Sequence, residues 1–191
     1  GTAAVDPTDD SIYEDDETVT VTIDGVSGGG ASESGSQSVS VTITENESAP
    51  TVTLTVSATS IAENAGSSIT VTATLSGATD ENVTVGLSTS GTATEGTDYT
   101  DGSGVVDDIT ISAGSTTGTV NFTPTDDSVY EGNETAILSI SSVSGGSATE
   151  SGSQSKTITI TDNESAPTVT LATSATSIAE NAGSSLTLTA T

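Results

Sequence analysis

Residues 1–74 of this chain return, without a gap, as residues 118–191, and 51 of the 74 aligned pairs are identical. GTAAVDPTDDSIYEDDET at the start comes back as GTVNFTPTDDSVYEGNET from Gly118, and TENESAPTVTL comes back as TDNESAPTVTL. The offset from Gly1 to Gly118 sets a period of 117 residues, so the folding unit is one modest domain copied along a string. The chain is expected to hold one complete copy, residues 48–164. Before it lies the C-terminal part of a preceding copy (1–47), and after it the N-terminal part of a following one (165–191). On this reading the chain is one stretch of a longer array.

The complete copy reads as strands. Val52, Leu54 and Val56 alternate with threonine, as do Ile69, Val71, Ala73 and Leu75. Val83, Val85 and Leu87 follow, then Ile109 and Ile111, Val120 and Phe122, Ala136 with Leu138 and Ile140, and Ile158 with Ile160. Alternation at period two, broken by Gly, Asn, Asp and Ser, predicts half-buried antiparallel strands. About seven such strands in one copy fit an all-β, immunoglobulin-like Greek-key sandwich. No segment carries a helical period. Residues 90–104 and 144–154 are predicted to be long loops, the second a mobile Gly/Ser-rich hairpin tip. Between copies stands only NESAP, closed by Pro50 or Pro167. So short a connection predicts copies meeting end to end as a semi-rigid rod.

Charge narrows the function. There are 27 acidic residues against one basic residue, Lys156, for a net charge of −26. Nucleic acid and anionic membranes need a basic footprint, so neither is expected as a partner. No run approaches the ~20 apolar residues of a membrane span, so direct insertion is not expected. The chain has no Cys and no His, which removes disulfides, thiolate chemistry and the commonest general base.

The acids cluster. TDDSVYEGNE places Asp126, Asp127, Glu131 and Glu134 in the turn between the fifth and sixth strands, and Asp162 and Glu164 close the last strand. Glu63 lies in SIAENAG between the first two strands, and Asp98 lies in GTDYT. Hairpin turns of an antiparallel sandwich alternate between its two ends, which brings all eight acids to one pole. Ionised groups so close must bind cations, take up protons or splay apart. Hard oxygen ligands in tolerant geometry match Ca²⁺ better than Mg²⁺. The repeat supports a selected set: Asp9, Asp10, Glu14, Glu17, Glu45, Glu47 and Glu63 keep a carboxylate one period later, where Glu180 answers Glu63. Asp6, Asp15, Asp16 and Asp24 do not. Tyr13 and Tyr130, inside the acidic turns, are expected to pack beneath them. Asp107 and Asp108 read as a turn opening a strand.

SIAENAG, TSGTATEGTDYT, DDSVYEGNE and TITITDNE, in that order, resemble the Calx-β family, domains that sense calcium in sodium–calcium exchangers and recur in extracellular proteins. The resemblance implies acidic calcium ligands at Glu63, Asp98, Asp126, Asp127, Glu131, Glu134 and Asp162, with Val129 contributing its backbone carbonyl. The family's terminal acidic triplet is here Asp162, Asn163 and Glu164, which leaves the number of ions open between one and about four.

The expected function is structural: a calcium-binding repeat of an extracellular, adhesin-like rod or filament on a bacterial surface. Its expected partners are neighbouring copies of the same chain and identical chains in a fibre. An alternative is a glycan- or ligand-binding module using the 90–104 and 144–154 loops. Catalysis by a carboxylate pair is not expected, since the copies lack pocket-lining aromatics.

Overall fold

The computed structural model describes residues 1–101, 106 and 108–191. The N-terminal region holds β1 (Ile12–Tyr13), β2 (Glu17–Thr22) and β3 (Ser38–Ile43). Then come β4 (Thr51–Val56), β5 (Ser60–Ala62), β6 (Ile69–Leu75), β7 (Ala78–Thr79) and β8 (Val83–Gly91). They are followed by β9 (Tyr99–Thr100), β10 (Ile109–Ile111), β11 (Thr117–Pro124), β12 (Glu134–Ser144), β13 (Thr149–Glu150) and β14 (Ser155–Thr161). The C-terminal region adds β15 (Leu171–Thr173) and β16 (Leu188–Ala190).

The centre is an all-β, immunoglobulin-like sandwich. One sheet runs β10-β8-β12-β14-β5 and the other β13-β4-β6-β11-β9. The seven alternating runs of the sequence form β4, β6, β8, β10, β11, β12 and β14, and their inward residues meet in one core. Val52, Leu54 and Val71 from one sheet face Val85, Leu138 and Ile158 from the other, each at most 1% exposed. At about 1.5–3 kcal/mol per fully buried aliphatic side chain, this alternation is what holds the sheets together. Tyr99 and Phe122 stack at the acidic end of the core, with ring centroids 4.5 Å apart.

Three short strands widen the sheets beyond the seven. β5 joins β14 in parallel, with Ala62 opposite Thr161. β9 pairs with the end of β11, Tyr99 opposite Pro124. β13 pairs with β4, Thr149 opposite Thr51. The last pairing corrects the expectation of a mobile 144–154 tip. Ala148 is buried there, and the Gln154 side chain accepts a bond from the Leu54 amide at 3.3 Å. The loop is stapled to the opposite sheet. Of the 90–104 loop, residues 102–104 lie outside the described residues, as does Asp107. Asp108 does open a strand, its carboxylate accepting the Leu87 amide at 3.1 Å.

The flanks repeat fragments of the same architecture. β2 and β3 pair with Glu17 opposite Ile43, as β12 and β14 pair with Glu134 opposite Ile160. β15 and β16 pair with Leu171 opposite Ala190, as β4 and β6 pair with Leu54 opposite Ala73. Among the described residues, each of these hairpins is a two-stranded sheet by itself. Val41, at 44% exposed, and Leu171, at 74%, stand where Ile158 and Leu54 are buried one period away.

Candidate metal centre

Parallel pairing of β5 with β14 carries the chain to the acidic pole on two adjacent strands. Just past the pair, the Glu63 amide donates to the Thr161 carbonyl at 3.1 Å, and Asp162 follows on the neighbouring strand. Asp162 is the anchor of the pole. Its carboxylate accepts the amides of Glu131 at 2.7 Å, Gly132 at 2.5 Å and Glu164 at 2.7 Å. Burial works to raise its pKa, but the Gly132, Glu164 and Glu131 amides outweigh burial and leave it below the usual range. Asp162 therefore fixes the 126–134 loop against the end of β14. Asp127 shapes that loop from inside, accepting the Val129 amide at 2.7 Å. Asp98 does the same for its own turn, accepting the Thr94 amide at 2.6 Å.

On this scaffold two trios of carboxylates converge. Glu63, Asp126 and Glu164 each bring an oxygen within 4.8 Å of the others, and so do Asp98, Glu131 and Glu134. In the first trio Glu63 is 8% exposed. Its Oε1 and the Oε2 of Glu164 are both buried with no hydrogen-bond partner among the described residues. Burial, then the Glu164 carboxyl beside it, push the Glu63 pKa up to about 7. In the second trio burial, then the Asp98 charge, push Glu134 up to about 7. Glu131 is raised by burial and by Asp98, Asp127 and Asp162. Buried carboxylate oxygens without a donor require a proton or a cation. Donor chemistry and charge fit a hard divalent ion with oxygen ligands.

The structure thus gathers the eight candidate acids at one pole. Six form the trios; Asp127 and Asp162 organise the backbone around them. Asn133 escaped sequence reasoning. Its side-chain oxygen accepts the Asp162 amide at 3.2 Å, as Asp16 accepts the Glu45 amide at 2.9 Å one period earlier. A short side-chain acceptor at both positions was the available signal.

The N-terminal region reproduces the scaffold. Glu45 accepts the Glu14 amide at 2.7 Å and the Glu47 amide at 2.8 Å, and Asp10 accepts the Ile12 amide at 2.7 Å. The Glu47 amide and carboxyl, with the Glu14 amide, hold Glu45 at about 2. Asp9, Asp10, Glu14, Glu17, Glu45 and Glu47 line one cleft, but neither trio includes them. Nothing in residues 1–47 corresponds to Glu63 or Asp98, which each supply one member of a trio in the complete copy. Glu180 is exposed and likewise stands apart. Val129 is 56% exposed. Tyr130, expected beneath the loop, is instead 46% exposed, on a turn whose flanking amides are held by Asp127 and Asp162.

The Calx-beta domain model matches residues 45–164. The chain belongs to the Calx-beta family. Calx-beta domains are calcium-binding modules. The crystal structure of the apo-form Calx CBD1 domain is similar at 21% identity, with a TM-score of 0.47 over 59% of this chain and 98% of that one. That of CBD12 from CALX1.2 gives the same identity and TM-score over 58% of this chain and 44% of that one. No curated protein sequence matches the chain.

Proposed function

We propose that this chain is a calcium-binding structural segment of an extracellular, adhesin-like rod or filament on a bacterial surface, and not an enzyme. In this reading residues 48–164 are one complete Calx-beta repeat between part-copies 1–47 and 165–191. The observation that carries it is the pair of buried, unpartnered oxygens on Glu63 and Glu164, within a trio that Asp126 completes. Ca²⁺ held by Glu63, Asp126 and Glu164, and by Asp98, Glu131 and Glu134, would neutralise the pole and tie four loops together.

The pole also touches the connection to the following copy. Glu164 is the last residue before Ser165, Ala166 and Pro167, so an ion on Glu164 restrains the linker as well as the domain. Calcium would then stiffen each joint of the string. Small-angle scattering of the full chain tests this. A longer, less variable particle in calcium than in chelator supports the proposal; identical profiles, with calcium shown to be bound, refute the stiffening role.

A further inference from the structure

The two ends of the complete copy carry complementary edges, and the chain displays one such joint already closed. β1, in the acidic turn of the N-terminal region, pairs in parallel with β7 at the opposite pole of the complete copy: Ile12 with Ala78, Tyr13 with Thr79. The Asp80 amide continues the ladder, donating to the Tyr13 carbonyl at 3.2 Å. The Ser147 hydroxyl also reaches Asp15 at 3.3 Å. Ser147 is the one non-glycine residue with positive φ among the described residues, at 49°, a conformation that side chains rarely adopt without a reason.

The receiving turn is built to stay in place. Thr79 is 1% exposed. Its carbonyl accepts the Gly114 amide at 2.7 Å, and its hydroxyl donates to the Glu81 carbonyl at 2.7 Å. The Glu81 carboxylate accepts the Gly146 amide at 3.0 Å. A Cβ on Gly146 would sit 2.5 Å from the Thr79 hydroxyl, so the neighbouring loop closes on Thr79 only because that position is glycine.

The donor edge recurs one period later. Val129 and Tyr130 stand where Ile12 and Tyr13 stand, and the Val129 amide is held by Asp127 as the Ile12 amide is held by Asp10, both at 2.7 Å. Ile12 and Tyr13 are half-buried in their joint, whereas Val129 and Tyr130 are 56% and 46% exposed. We propose that Val129–Tyr130 is a docking edge for the Ala78–Thr79 turn of a second copy of this domain, through the same two-residue parallel pairing. Donor and receiver lie at opposite poles of one domain, so the contact is head to tail and propagates without closing. This deepens the rod reading, on which it rests for the presence of a following copy, and it does not require calcium.

Because the chain has no cysteine, introduced pairs report single contacts. Residues 48–164 are inserted once more after Glu164 of the full chain, which preserves the period. Val129→Cys in the original copy is combined with Ala78→Cys in the added copy. The reference is Ile12→Cys with Ala78→Cys in the original copy. Under mild oxidation the new pair should close within about threefold of the reference rate. Closure of the reference alone overturns the proposal, and so does failure of both. In the cysteine-free extended chain, the added Asp80 amide should exchange with solvent as slowly as the original; fast exchange overturns the proposal independently of cysteine effects. Closure that is equal in chelator and calcium leaves the pairing standing and counts against calcium stiffening. Calcium binding without closure removes the pairing alone.

Discussion

Glu63 Oε1 and Glu164 Oε2 are both buried beside each other's carboxyl, and neither has a donor to accept from among the described residues. Glu63→Gln would supply one, since an amide can donate where a carboxylate cannot. In chelator the variant should be more stable than the parent by about 1 kcal/mol, or roughly 3–5 °C in melting temperature. In calcium the order should reverse, because a ligand has been lost. Thermal melts in the two buffers check both halves.

The same carboxyls set a pH dependence. Glu63 and Glu134 move from 4.5 to about 7 in the metal-free fold. The folded state therefore holds more protons than the unfolded chain between those values, and stability falls as pH rises through that window. Metal-free melting temperature should decline from about pH 4.5 to about 7 and then level. Calcium added near neutrality should restore stability and release protons, which titration in buffers of different ionisation enthalpy would register.

Phe122 stacks on Tyr99, and Tyr99 directly follows Asp98 in the chain. Phe122→Ala should cost about 3–5 kcal/mol in denaturant unfolding. It should also weaken calcium binding at the Asp98 trio, because the turn loses its floor. Tyr130→Ala, at an exposed position, should change the stability of this chain by less than about 0.5 kcal/mol.

Gly145 has φ of 91°, and a Cβ there would lie 2.1 Å from the Asn82 carbonyl oxygen. Gly145→Ala should cost about 2–4 kcal/mol through strain and clash together. Gly152, at φ of 67°, faces open space, so Gly152→Ala should cost only about 1 kcal/mol. Urea unfolding of the two variants separates strain from contact.

The sandwich was legible because each of its seven principal strands places at least two apolar residues on one face. β9 and β13, with two residues each, and β5, with three, carry no such alternation. They form because neighbouring edges offer free backbone groups. The acidic pole was legible from topology alone, since hairpin turns alternate ends. What sequence could not give was the division of labour within it. Asp162 looks like any other acid in TITITDNE, yet three amides occupy its carboxylate and make it an anchor. Tyr130, expected to pack beneath its acidic turn, is 46% exposed.

Calcium binding by the two trios is most directly measured by calorimetric titration of the full chain beside the Glu63→Gln, Glu134→Gln double variant. Saturable calcium binding by the parent, weakened at least tenfold in the double variant, is the predicted result. Equal binding by both chains, or none by the parent, would contradict it.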